Sequence, residues 1–403
     1  MLTVLRNRRF AALFASQVSS LAATGLLTVA LALVAVRLDP AGAAGIIATA
    51  LTIRIAVYVV VSPIASALLA GRSSRAVLIT ADLVRLAVAA ALVLATAPWQ
   101  LYLGIVLLQT ASAVFTPTYQ AVIPRVLPDE RDYTAAQSLS RLAYDLESLL
   151  SPPLAALLVL VLPPQALFAV TALGFLGSAI GVLLAGLHDQ VGSTAEPVGR
   201  RLLRGVGVLL RTPGPRFAAV LDAVSATIYA TVLVSSVVLL IDSGTDPADP
   251  SAALAVVLVA FGLGSIAVAL ALPALLRVLR DTSVMLLGAA LAVIVLAAAA
   301  VAALLGGLSV AALAALWLVL GASSSAISTP SARLIRAEVP AEQHAAVFAA
   351  RFSTSHAWYA VTYPLAGVLG TLAPSGVATA VLAGLAAVAV VIGAAMVSSR
   401  VRR

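Results

Sequence analysis

Arg54, Arg141, Asp145, Glu147, Asp222 and His356 fall inside stretches otherwise dominated by Ala, Leu, Val and Ile. Desolvation favours the protonated carboxyl, so an acid among apolar side chains is suited to carrying a proton. Glu147 is the deeper acid of its stretch and has no neutralising residue at helical spacing, which makes it the first proton-carrying or cation-reading candidate. The bland alternative is a Glu held by Arg54 or by Ser and Tyr hydroxyls. Arg141 and Asp145, four apart, share a helical face and read as a mutual ion pair, with Asp145 kept as a further proton candidate. Asp222 either titrates or pairs with an Arg near the rim of its stretch. His356 titrates in the physiological range unless it is bonded to a neighbouring Tyr.

Uncharged polar residues recur in four sets at spacings mostly of three and four: Ser16, Gln17, Ser20, Thr24; Gln109, Ser112, Thr116, Gln120; Asp222, Ser225, Tyr229, Ser236; and Ser324, Ser325, Ser328, Thr329, with the acid Asp222 in the third. Each set forms one face of a helix. Taken singly, such hydroxyls often serve only to bond a neighbouring helix. Together they point to walls lined for a small molecule, with Gln17, Ser20, Gln109, Ser112, Thr116, Gln120, Ser225, Tyr229 and Ser328 as contact candidates. Arg54, Tyr58 and Tyr144 join them, as do Phe352 and Tyr359 from an aromatic face that also carries Phe348, His356 and Tyr363. Stacking with a few polar anchors suits an amphipathic or aromatic ligand, although such stripes are more often packing.

The elements that must position these residues follow from composition. Of the 403 residues 62% are hydrophobic and 10% charged, with a mean hydropathy of +1.12, far from the balance of a soluble domain. The apolar runs are too long for strands, and a helix crosses ~30 Å of hydrocarbon in about 20 residues. Backbone groups in lipid must be satisfied internally, so the spans are helices. Every one of the 24 basic residues is Arg, and they are scattered in short loops, which argues against a nucleic-acid partner despite the net charge of +8. Cys is absent and the three His lie far apart, so neither a disulfide, a metal site nor a cofactor is expected.

Twelve spans can be counted: 10 to 36, 43 to 70, 76 to 97, 100 to 123, 136 to 162, 165 to 187, 216 to 241, 252 to 276, 282 to 305, 309 to 335, 344 to 370 and 377 to 397. Turn signals such as Asp39-Pro40, Pro163-Pro164 and Gly306-Gly307 separate them. Arginines from Arg6 to Arg9, at Arg72, Arg75, Arg125 and Arg131, in the central loop, at Arg277, Arg280, Arg333 and Arg336, and from Arg400 onward all fall on one side of this count. The opposite side holds Arg37 beside Asp39, Asp242, Asp246 and Asp249. Positive loops stay inside, so both termini are expected in the cytoplasm of a multi-pass cytoplasmic-membrane protein.

The chain also repeats itself. Pro117, Pro128 and Pro152 have counterparts in Pro330, Pro340 and Pro364, at offsets of 330 − 117 = 213, 340 − 128 = 212 and 364 − 152 = 212 residues. Such duplication in an apolar chain is a sign of a transporter. The expected organisation is a six-helix bundle over 1–187, a cytoplasmic linker over 188–215 with an amphipathic surface helix, and a second six-helix bundle over 216–403. In the linker Arg200, Arg201, Arg204 and Arg211 oppose Leu202, Leu203, Val206, Leu209 and Leu210 on the helical wheel.

Two halves of six, a basic linker and polar helices at every third place resemble the major facilitator superfamily over nearly the whole chain. The stretch FTPTYQAVIPRVLPDERDYTAAQSLSRLAYDLESLLSPPLAALL is similar to the bacterial exporter branch that includes macrolide efflux proteins and enterobactin exporters. The resemblance implies an all-α membrane protein of twelve transmembrane helices in two six-helix pseudo-repeats, with helix 11 opposite helix 2. It also implies a gating loop after Pro63, to which Arg72, Arg75, Asp82 and Arg85 correspond. There the usual Asp falls at Ala70 and the Arg after it at Gly71.

The function so implied is secondary active export of a small organic molecule such as a drug, siderophore or secondary metabolite. It would proceed by alternating access in a monomer, with the bilayer and protons as its partners. Proton exchange is the expected energy source because no P-loop pattern is present to use ATP. Uptake or facilitated diffusion by the same fold, and a non-transporting receptor or scaffold, are the alternatives. No enzyme signature is present.

Overall fold

The computed structural model describes residues 2–39, 42–187, 197–242, 244, 251–306 and 308–401. Pro40, residues 188–196 of the central loop, Asp246, Asp249, Gly307, Arg402 and Arg403 lie outside the described residues. The chain is all helical among those described. In order come α1 (Arg8–Leu38), α2 (Ala43–Leu69), α3 (Ser74–Leu92), α4 (Pro98–Val126), α5 (Glu130–Val159) and α6 (Ala166–Leu184). The linker helix α7 (Val198–Arg211) follows, then α8 (Pro213–Ala230), α9 (Ser236–Asp242), α10 (Ser251–Leu275), α11 (Asp281–Leu304), α12 (Val310–Glu338), α13 (His344–Leu372) and α14 (Ser375–Val401). A π-turn at Thr231–Ser235 joins α8 to α9, so these two make a single seventh span and the spans among the described residues number twelve.

Among the described residues nine of these spans are long and apolar enough to cross a bilayer on composition alone. The other three, α3, α5 and α13, are those carrying Asp82 and Arg85, Arg141, Asp145 and Glu147, and Arg351 and His356. Charge in α3 and α5, and Ser, Thr, Tyr and His beside one Arg in α13, lower their own preference for lipid, so they depend on neighbours for partners.

Helix starts follow local chemistry. Asn7 caps α1 by accepting from the Arg9 and Phe10 amides, and Asp129 caps α5 by accepting from the Arg131 and Asp132 amides. Either side chain satisfies donors that the first turn leaves orphaned. The Asp129 cap starts α5 at Glu130, six residues ahead of the expected 136.

The helices form two compact units. The first comprises Met1–Ala136, Leu146–Val208 and Pro340–Ser353; the second comprises Gln137–Asp145, Leu209–Val339 and Thr354–Arg403. Gln137–Asp145 of α5 therefore belongs with the second-half helices, and the start of α13 with the first-half helices.

Within the first unit α1 packs on α6, α3 on both α6 and α4, and α2 on α4. Within the second, α8 packs on α14, α11 on both α14 and α12, and α10 on α12. The pairings are the same when helices are matched in order, which is the structural form of the pseudo-repeat. Small residues allow the closest approaches, as is usual between helices in lipid. A Cβ added at Gly181 of α6 would lie 2.8 Å from the Ser16 Cβ of α1. In the second unit the fit is tighter: a Cβ at Gly264 would lie 1.8 Å from the Leu318 carbonyl oxygen, and one at Gly321 1.8 Å from that of Phe261. Each unit has its own apolar core, with Leu27, Leu101, Phe168 and Phe175 in the first and Phe217, Leu221, Leu296 and Trp317 in the second.

Candidate functional site

The second unit encloses a charged hub. Arg141, on α5, is 12% exposed and Asp145, one turn on, 7%. Their spacing places both on one face, and Arg141 Nη2 lies 3.1 Å from Asp145 Oδ1. Ser265 of α10 joins them, accepting from Arg141 Nε at 2.9 Å and Nη2 at 2.7 Å and donating to Asp145 Oδ2 at 2.7 Å. From α12, Ser328 Oγ accepts from Nη1 at 3.2 Å and Ser324 Oγ from Nη2 at 3.4 Å. From α8, the Tyr229 hydroxyl accepts from Nη2 at 3.2 Å. The guanidinium is thus shared among four helices in an apolar unit, where a lone charge would be costly.

Aromatic rings continue the hub. Tyr229 stands edge-on to Phe261 at 5.6 Å and to Tyr359 at 6.0 Å, and Tyr359 contacts His356 and Tyr363, each at 5.5 Å. Asp222 lies within electrostatic range of Tyr359. On α8 and α12 the buried hydroxyls of Ser225, Ser323, Ser325 and Thr329 have no hydrogen-bond partner among the described residues. Chemically, this arrangement offers a fixed cation-anion pair, several donors and an aromatic wall.

The first unit holds two further polar clusters. In one, the Tyr58 hydroxyl donates to Gln109 Oε1 at 2.6 Å. The Tyr58 ring meets Phe352 edge-on at 4.9 Å, and the Arg54 guanidinium lies 5.6 Å from its centroid. In the other, Arg85 pairs with Asp82 and donates to Ser20 Oγ at 2.9 Å, while Ser178 donates to Asp82 at 2.8 Å. The Arg85 guanidinium is held between Phe115, 4.2 Å from the ring centroid, and Phe175, at 4.6 Å. Asp82 and Arg85 are 0% and 2% exposed on α3, so the helix-3 positions of the motif are packed inside the first unit. Arg72 is exposed just beyond that loop's Gly71, whose φ of +83° is the left-handed conformation that a side chain such as Arg would strain. Arg75 is half-buried in the first turn of α3.

The remaining sequence-selected residues are placed as follows. Gln17 is buried and accepts from the Tyr119 hydroxyl at 3.1 Å. Ser112 is buried, Thr116 and Gln120 are half-buried on α4, and Tyr144 is exposed. Glu147 belongs to the first unit although Asp145, two residues earlier, belongs to the second. Its carboxyl rests over α1, where a Cβ at Gly25 would come within 2.6 Å of Glu147 Oε1. The selected residues therefore divide between the units: Arg54, Tyr58, Gln109, Phe352 and Glu147 in one, and Asp145, Asp222, Tyr229, Ser328, His356 and Tyr359 in the other.

Three features carried little signal in the sequence. Ser265 stands alone among Val, Ala, Leu and Gly, with no polar periodicity to mark it. The π-turn carries Thr231, whose hydroxyl donates to the Thr227 carbonyl, and leads into Ser236, which accepts from Trp317 Nε1 at 2.8 Å; such turns cluster at functional sites. Arg351, half-buried on α13, is a further charge within a span.

Comparison with known proteins bears on the whole arrangement. Among solved structures, the chain is similar to the human organic anion transporter MFSD10 (TETRAN), with a TM-score of 0.76 at 12% identity over 96% of this chain and 99% of that one. It is also similar to FucP, a Major Facilitator Superfamily transporter in its outward conformation, with a TM-score of 0.70 at 12% identity over 96% and 98%. A search of curated protein sequences returns no match. The family model described as Major Facilitator Superfamily matches residues 13–307. With that match over more than half of its length, the chain belongs to the Major Facilitator Superfamily of membrane transporters.

Proposed function

We infer that the protein is a secondary active exporter of small organic molecules that works as a monomer by alternating access and exchanges substrate for protons. The observation that carries this reading is the Arg141-Asp145 pair, buried in the second unit and tied to Ser265, Tyr229, Ser324 and Ser328. A charge at mid-span costs roughly 2.5–3.5 kcal/mol on insertion scales, and charges kept there mark substrate or proton paths by default. Asp145 and Glu147 are the proton-exchanging candidates, with Asp222 and His356 behind them. The Tyr229, Tyr359 and Phe261 rings would stack on an aromatic or amphipathic substrate while nearby hydroxyls orient it. The arginine distribution supports a cytoplasmic-membrane location with both termini inside.

The test is flux in proteoliposomes. Dyes, macrolides and catechol siderophores form the panel, and the human fold neighbour's description adds fluorescent organic anions. Under an imposed proton gradient at least one compound should move against its own gradient. Substrate moving only down its own gradient, with the proton gradient inert, would replace antiport by facilitated diffusion. No flux across the panel, with retained ligand binding, would favour a receptor.

A further inference from the structure

The first unit contains a basic cavity of about 510 Å³ that the transport reading does not use. Arg72, Arg125, Arg201 and Arg204 line it against a single carboxylate, Glu342. The helix α7 is fastened there: a Cβ at Gly205 would come within 2.7 Å of the Ala346 carbonyl oxygen, so Gly205 lets α7 lie directly on the start of α13. That contact carries Arg201 and Arg204 to the cavity, while Leu203 of the same helix is 71% exposed. An apolar side chain left outward on a basic helix suits the bilayer surface. Ala70, where the family resemblance expects an Asp, also lines the cavity, which leaves the cluster with one acid fewer.

A second, apolar groove of about 430 Å³ runs along α2, α3 and α4 past Leu68, Val84 and Leu107. These three side chains point outward, at 57%, 39% and 41% exposure. The groove and the basic cavity share Leu69, Arg72, Val77 and Val114. Charge and grease therefore adjoin at Arg72, which lines both. A free anion would need only the cavity, and a hydrocarbon only the groove.

We propose that the first unit binds an anionic phospholipid, its phosphate among Arg72, Arg125, Arg201 and Arg204 and one acyl chain in the groove past Val84. Basic pockets beside membrane helices are suited to anionic headgroups, and the bilayer supplies the ligand. The site is independent of what the protein transports.

The experiment uses the full chain purified in neutral detergent. Binding of phosphatidylglycerol, phosphatidylcholine and inorganic phosphate is followed by native mass spectrometry and by the shift in melting temperature. Phosphatidylglycerol should be retained, phosphatidylcholine much less so, and millimolar phosphate should not displace it. Arg72→Gln combined with Arg125→Gln should weaken phosphatidylglycerol binding about thirtyfold. Val84→Trp, which fills the groove from its exposed side, should weaken it while keeping the melting temperature of the lipid-free protein. Equal retention of phosphatidylcholine would overturn the proposal, as would phosphate matching phosphatidylglycerol, or unchanged binding in either variant.

Discussion

Removing one member of the Arg141-Asp145 pair should be far more damaging to stability than removing both. Asp145→Asn leaves a guanidinium in a site where it is 12% exposed, and breaking a buried pair from one side costs about 3–5 kcal/mol. Arg141→Met leaves Asp145 with the Ser265 hydroxyl as its one hydrogen-bond donor among the described residues, for a loss of similar size. Arg141→Met combined with Asp145→Leu removes both charges and keeps the volume, an exchange that in buried pairs is often neutral or stabilising. It takes a partner from the hydroxyls of Ser265, Ser324 and Tyr229; the two serines can turn onto a carbonyl one turn back in their own helices, so the Tyr229 hydroxyl carries the main loss, about 1–3 kcal/mol. Ser328 shows how part of that loss is recovered, since it already donates to the Ser324 carbonyl at 2.8 Å. The double variant should therefore fall within about 2 kcal/mol of the parent while each single variant falls well below it. Thermal melting of the detergent-solubilised protein reads stability, and proteoliposome flux reads transport. Additive losses would refute the pairing. A double variant that is stable and transports normally would refute a role for the hub in transport.

Glu147→Gln should abolish proton-driven flux while membrane insertion and melting temperature stay near the parent, and an unchanged pH profile of transport would make Glu147 a packing residue over Gly25. Gly321→Ala should destabilise the second unit by about 3 kcal/mol, because its methyl would meet the backbone of Phe261 rather than a side chain that can turn away; a melting temperature equal to the parent's would show that α10 and α12 do not cross there. Ser353→Ala removes a hydroxyl that donates to the Val59 carbonyl of α2, so it should cost about 1 kcal/mol of stability and leave flux intact. A variant that melts normally but no longer transports would give Ser353 a functional part.

How far the sequence discloses such sites depends on whether their chemistry is local. Helix number, the pseudo-repeat and the linker helix follow from run length, periodicity and the spacing of Pro and Arg, all properties of neighbouring residues. The Arg141-Asp145 pair is equally local, four residues apart on one helix. Its third member is not: Ser265 lies 120 residues from Asp145 and has nothing around it to mark it as polar on purpose. Asp82 and Arg85 show the converse. Their identities match the helix-3 positions of a gating motif, yet nothing local foretells that Phe115, Phe175 and Ser178 converge on them from other helices. Gly264 and Gly321 look like ordinary small residues of an apolar helix until two backbones are seen to need the room.

The duplication also separates fold from chemistry. At the 212-residue offset that relates Pro152 to Pro364, Arg141 corresponds to Ser353 (353 − 141 = 212), Asp145 to Ala357 and Glu147 to Tyr359. The pairings that recur in both units join the other helices of each half. At these three positions charge is confined to the first copy of the helix, and α13 carries its Arg351 elsewhere. Ser353 makes a hydrogen bond to backbone, and Tyr359 joins an aromatic cluster. The second copy therefore does without charge at these three positions, which α13 fills with Ser353, Ala357 and Tyr359. A charge held at several kcal/mol of insertion cost, at a place where the second copy does without it, is best explained by what it does to a ligand or a proton.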